Sequence, residues 1–225
     1  LSLIIYSLTI GGSMKKSWMF ACVVLLVSLW GCATTSKEPV VDPNFLGDYD
    51  PIQLKNVMAW YNFFGKEKPK ELEMYFVPRT NNVEIYYREG QNKVCVILSQ
   101  EHREQLKEVA ALFTEGVETG TLEDRKPTTK NAYYKSTCSV GWGVLGIGRV
   151  TEKSRLEYNH KYLKDGKVYL SVRAYPAADK DDSSVYSPDI ELFFSPSQLE
   201  TLFAQIDQSV LQARIDELNA QAYEY

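Results

Sequence analysis

Beyond residue 40 the chain holds two cysteines, Cys95 and Cys138, and two histidines, His102 and His160. A nucleophilic thiol needs a base within reach and surroundings that lower its pKa. Thr137 precedes Cys138 and glycines follow it, so no helix N-terminus is there to favour a thiolate. His102 falls in the first turn of a helical pattern and His160 on a strand-like stretch, which leaves the thiols without an obvious base. Two distant histidines and two strand cysteines do not make a zinc set. Cys95 and Cys138 both sit in apolar, strand-like runs, so one disulfide and two buried free thiols are equally compatible with the sequence.

Two further stretches carry familiar spacing. Gly141-Trp142-Gly143-Val144-Leu145-Gly146 is a literal GxGxxG. Dinucleotide binding needs that stretch to open a helix whose N-terminal amides meet the pyrophosphate. Gly148 and a charged, strand-like stretch follow instead, so the glycines read as a bent strand or pliable loop. In that reading Trp142, Val144, Leu145 and Ile147 touch lipid or a partner, with Trp142 and Leu145 as the candidate contact residues. Asp179-Lys180-Asp181-Asp182-Ser183-Ser184 begins like a calcium loop, but Ser184 and Ile190 stand where Gly and a bidentate Glu are required. An exposed acidic loop is expected, with no metal and no cofactor.

The elements that carry these residues follow from periodicity. Asp50-Pro51-Ile52-Gln53 has the order of a helix start, with Leu54, Val57, Met58 and Tyr61 at helical spacing and Gly65 as a stop. Residues 72–77, 83–87 and 94–98 are short β-branched and aromatic runs separated by turn residues, and read as strands. Ser99 then caps a helix with Leu106, Val109, Ala110 and Phe113 on one face. Further strands are expected over 133–150, bent or broken by its glycines, and over 155–162, 168–175 and 190–194. Lys164-Asp165-Gly166 is a hairpin turn. Ser195-Pro196-Ser197-Gln198 is a capping box that starts a last helix running to 222. Past residue 210 its stripe changes register to Leu211, Ile215 and Leu218, which would offer an apolar face to a partner.

The N-terminal segment carries an address. Met14, Lys15 and Lys16 precede an apolar run from Trp18 to Val27, the layout of a secretory signal too short to span a bilayer. Leu29-Trp30-Gly31-Cys32 resembles the lipobox of bacterial lipoproteins, although Trp30 departs from the small or β-branched residue usual there. The resemblance implies cleavage before Cys32, acylation of that cysteine with diacylglycerol and palmitate-like chains, and anchoring to a membrane by that lipid. Ala33, in place of a retaining Asp, implies the outer membrane rather than the inner. Residues 1–13 read as upstream leader, 14–31 as signal, 32–49 as anchor and tether, and 50–225 as one domain, with possible subunits 50–116 and 132–225.

Without 1–31, which holds Lys15 and Lys16 and no acid, the chain is two charges more negative than its overall −4. An acidic surface argues against nucleic acid. The expected fold class is α+β: an antiparallel sheet of about seven strands with helices packed on one face, possibly two loosely related β-meander-plus-helix units. That plan is similar to the paired units of PUR-type domains, whose basic surface is missing here, so no function follows from it. The expected function is a non-enzymatic binding module of the bacterial cell envelope, its domain periplasmic or surface-exposed, engaging an envelope protein. The 15 tyrosines suit such an interface. An envelope enzyme and a periplasmic small-ligand carrier are the alternatives.

Overall fold

From Val57 onward the chain alternates inward apolar and outward polar residues, and that period of two governs the architecture. The computed structural model describes residues 42–63, 66–124 and 126–222. The elements are β1 (Ile52–Gln53), β2 (Val57–Phe63), β3 (Lys66–Val77), β4 (Asn82–Glu89), β5 (Asn92–Leu98), α1 (Gln100–Thr119), β6 (Tyr134–Val144), β7 (Arg149–Tyr162), β8 (Val168–Ala174), β9 (Ile190–Phe194), α2 (Pro196–Ile206) and α3 (Gln208–Ala222). Consecutive strands from β2 to β9 pair antiparallel. β2 also pairs with β9, through Trp60↔Phe193 and Tyr61↔Leu192. The eight strands therefore close into an up-and-down barrel, and β1 lies on β3 as a short extra strand.

This corrects the expected open sheet with helices on one face. The difference lies in residues 50–63, which form β1, a short irregular link and β2, both antiparallel to β3, rather than a helix. Leu54, Val57 and Tyr61 fit either period. Ala59 settles the matter: it is 1% exposed, whereas Met58, inward in a helix, is 49% exposed. The closing pair with β9 lies some 130 residues away in sequence, and no local pattern announces it.

β3, β5, β7 and β9 run in one direction, so α1, after β5, and α2, after β9, leave from the same end of the barrel. Ser195 forms the capping box there that the sequence implies, and Ser99, expected as a cap, is completed to a box by the His102 side chain. Leu106, Val109 and Phe113 of α1, Leu199, Leu202 and Ile206 of α2, and Leu211 and Ile215 of α3 merge with the barrel interior in one core. The Tyr158 hydroxyl donates to the His102 carbonyl (3.2 Å), tying β7 to α1 across this end. Apolar residues inside and charged ones outside are the reverse of a membrane-spanning barrel. No helix among the described residues is long and apolar enough to cross a membrane.

The helices are locked by Arg103, 3% exposed. Its guanidinium donates to the carbonyls of Asn81 (2.7 Å), Leu98 (3.3 Å) and Ile206 (3.1 Å) and to the side chains of Asn81 (3.0 Å) and Gln208 (2.5 Å). One side chain thus joins β5, α1, the β3–β4 turn and the α2–α3 junction. Burial pulls its pKa down to about 10, so the group stays charged at neutral pH.

The single helix expected from 195 to 222 is two, broken at Asp207, and the break explains the change of stripe register. The Asp207 carboxylate accepts from the Ser209 amide (3.1 Å) and hydroxyl (2.9 Å) and pairs with Lys107 of α1. The Lys107 ammonium, then the Ser209 bonds, hold this carboxyl at about 2 against an ordinary 3.8. A depressed carboxyl contributes stability that is complete above its unfolded pKa and lost as pH falls through the folded one. Asp207→Asn should therefore cost stability at pH 7 and much less at pH 2, where the folded carboxyl is half protonated. Solvent screening keeps the difference to about 1 kcal/mol or less, readable by urea melts at the two pH values.

Candidate functional site

The end of the barrel opposite the helices carries the β4–β5, β6–β7 and β8–β9 connections. It opens into a cavity of about 880 Å³. Eight-stranded barrels are just wide enough to be filled by side chains or to hold one small ligand. Here the half nearest the helices is filled, with Leu72, Met74, Phe76, Leu156 and Leu170 all at 0% exposure. Deeper side chains at the open end are aromatic: Tyr61 and Tyr87 lie with ring centroids 5.5 Å apart. Tyr87 of β4, Val94 of β5 and Trp142 of β6 follow one another across three adjacent strands and form an apolar wall of the cavity. Tyr186 and Pro188 of the β8–β9 connection also line it.

Charges ring the opening. Asp189 is held by Arg173 through two bonds, from Nε (3.0 Å) and Nη2 (2.5 Å). Glu191 accepts from Asn62 (3.0 Å), Ser171 (3.1 Å) and Lys161 (3.3 Å). Lys93 places its ammonium 4.0 Å over the Tyr86 ring. Arg149 lies 4.0 Å from Asp179 and 3.8 Å from Asp182.

Beside the cavity stands the β6–β7 tip. Val144 is 64% and Leu145 75% exposed. The tip is built to hold them out: the Leu145 amide donates to the Gln91 carbonyl (2.8 Å) and the Gly148 amide to that of Trp142 (3.1 Å). A Cβ on Gly143 would come within 2.3 Å of the Gly146 carbonyl oxygen, so only glycine allows the turn to close. Leu145 itself has φ +65°, a left-handed conformation that costs a side-chain-bearing residue about 1–2 kcal/mol. Removing that strain should offset the extra unfolded-state freedom of a glycine, about 0.5–1 kcal/mol. Leu145→Gly should thus leave thermal stability unchanged or slightly raised, whereas a buried Leu truncated to Ala would cost about 2–5 kcal/mol.

The other sequence candidates fall elsewhere. Cys32, with the whole signal and leader, lies outside the described residues. Cys95 and Cys138, for which the sequence leaves a disulfide and two free thiols equally open, are both buried and unbridged. Cys95 pairs across with Gly141, so Cys138, three residues earlier on β6, points to the opposite face of the sheet. Burial pushes both thiols up, Cys138 to about 12, away from nucleophilic use. His102 accepts the Ser99 amide on Nδ1 (3.2 Å) and meets the Thr137 carbonyl through Nε2 (2.9 Å), which makes it a helix cap. Burial lowers its pKa. Leu211 and Ile215 are 0% and 1% exposed, and Leu218 packs against them, so the expected partner face of the last helix is turned inward. Asp179, expected exposed, is buried at 5% and accepts the amides of Val150 (3.2 Å), Asp181 (2.9 Å) and Asp182 (3.0 Å), folding the β8–β9 connection onto β7. No cluster of three metal-ligating side chains occurs among the described residues. Tyr87, Val94 and Tyr186 were not candidates from sequence; only barrel closure brings them to Trp142.

Comparison with known proteins places the chain in a family. The family described as "Uncharacterised Treponema protein" matches residues 51–213, which covers the barrel and most of the helices, and the chain belongs to it. A relative from Treponema pallidum (strain Nichols), described as an uncharacterized protein, is 25% identical over 199 residues, covering 86% of this chain and 68% of its own length. No solved structure matches.

Proposed function

We propose that this member of the Treponema family is a non-enzymatic binding protein of the bacterial envelope, anchored by lipid at Cys32, which holds a small, partly apolar molecule in the open mouth of its barrel. The observation that carries the reading is the asymmetry of the barrel. One end is sealed by three helices, and the other opens into about 880 Å³ walled by Tyr87, Val94 and Trp142. Ligand sites have this form: concave, mainly apolar, with a few polar groups to orient the guest. The mouth favours a small ligand over the protein partner that the tyrosine content suggests. A non-catalytic role is supported by what the reactive side chains do: both thiols are sealed in the sheet, and His102 caps a helix.

From Cys32 onward the chain has two tryptophans, Trp60 and Trp142. Trp60 packs with Leu163, Tyr169 and Phe193 in a separate cluster outside the barrel. In a Trp60→Phe variant the emission reports on the mouth alone. Titration with N-phenylnaphthylamine, a neutral apolar dye, should quench it saturably at one site per chain. Unchanged emission and dye fluorescence up to the dye's solubility would rule the reading out. The anchor is tested separately: Cys32→Ser should abolish metabolic labelling by fatty acid, and a label that survives the substitution would remove the lipobox assignment.

A further inference from the structure

We propose that the natural guest of the mouth is a single-chain amphiphile with an anionic head, taken up from a lipid surface into which the β6–β7 tip dips. This rests on the mouth being the binding site. Three observations lead there. First, Val144 both lines the cavity and stands 64% exposed, so apolar surface runs from the wall at Val94 and Trp142 out to the rim, next to Leu145 at the tip, 75% exposed. A chain entering the wall has an apolar track to follow, and the guest needs one apolar end.

Second, a cation lies on that wall. Arg149 is the strand neighbour of Trp142 and shares its face, while Lys93 stands behind the wall with its ammonium over Tyr86 on the outer face. The Arg149 guanidinium stays 3.8–4.0 Å from its nearest carboxylates, beyond direct hydrogen bonding. The cavity's own acids are engaged on the other side, Asp189 by Arg173 and Glu191 by Lys161, Asn62 and Ser171. A negative head next to Trp142 therefore meets positive charge, and a positive head meets repulsion.

Third, the tip is apolar and hydrogen-bonded in place where a surface loop is ordinarily polar. It keeps a leucine in a left-handed conformation and clamps it there through Gln91 and Gly143. Retained strain of this kind points to use of the side chain it presents. Aliphatic residues at a tip with lysine and arginine just behind suit insertion below the headgroups, the cations staying at the level of anionic lipid phosphates.

The test displaces N-phenylnaphthylamine with dodecanoate, dodecan-1-ol and dodecylammonium, which share a chain and differ in head charge. Dodecanoate should compete at about tenfold lower concentration than dodecylammonium, with the alcohol between. In the Arg149→Gln variant that preference should vanish, and a tenfold preference for dodecanoate that survives it would overturn Arg149 as the partner of the head. Equal competition by all three with the unaltered protein would overturn the anionic head while leaving the mouth as the site; no dye binding at all would overturn the mouth itself. For the tip, the Leu145→Asn/Ile147→Ser variant should bind dodecanoate in solution as before. It should take up a pyrene-labelled fatty acid from vesicles of phosphatidylcholine with one-fifth phosphatidylglycerol about tenfold more slowly. Uptake at the unaltered rate would overturn the lipid surface as the source.

Discussion

Arg103→Met should destabilise the barrel by about 3–5 kcal/mol, the range found when one partner of a buried charged network is removed. The methionine fills much of the same volume, so packing is nearly kept. What is lost are donors: the carbonyls of Asn81, Leu98 and Ile206 and the Asn81 side chain would face the core without them. A buried acceptor left unsatisfied costs about 1–3 kcal/mol. For a domain of this size each kcal/mol shifts Tm by about 2–4 °C, so a drop on the order of 10 °C is expected. Arg103→Lys keeps the charge without the planar fork and should fall between the two. Thermal melts of the three proteins give the order, and a loss below 1 kcal/mol for methionine would mean the network is not what holds the helices to the barrel.

The second large effect concerns the mouth. Trp142→Ala should weaken N-phenylnaphthylamine binding by about tenfold or more, equivalent to ~1.4 kcal/mol or above. Trp142 is partly buried against the core and lines the cavity, so its indole is available to a guest. Trp142→Phe retains an aromatic wall and should recover most of the affinity. Trp60→Phe, on the outer cluster, should change nothing. Dye fluorescence, rather than protein emission, reads this series, since the variants remove the protein's own reporter.

Features whose causes are local were visible in the chain. The capping serine at 99, the capping box at Ser195 and Gln198, the turn at Lys164-Asp165-Gly166, and the strands around Val83, Val94 and Val168 each depend on neighbours in sequence. Gly166, at φ +76°, occupies the left-handed position that the turn requires. Features set by closure were not visible. The first half of β3, Lys66 to Glu71, is charged and contains Pro69, and it becomes a strand because β2 lies beside it. β2 in turn is held by β9, which no window of sequence contains. The same closure joins Tyr61 and Tyr87 to Trp142, so the glycine-rich tip could be singled out from sequence and the cavity beside it could not. Leu211 and Ile215 show the converse: a stripe out of register with the preceding helix reads as a spare face until Asp207 is seen to turn the chain and direct the new stripe inward.

The central claim, that the open mouth and not the helical end receives the ligand, is tested most directly by NMR of the isotope-labelled domain titrated with N-phenylnaphthylamine. Amide shifts should move at Tyr87, Val94, Trp142 and Tyr186 and stay still along α1 and α2, with one dissociation constant fitting all of them. Shifts confined to the helices, or scattered over the outer face of the sheet around Trp60 and Phe193, would contradict it.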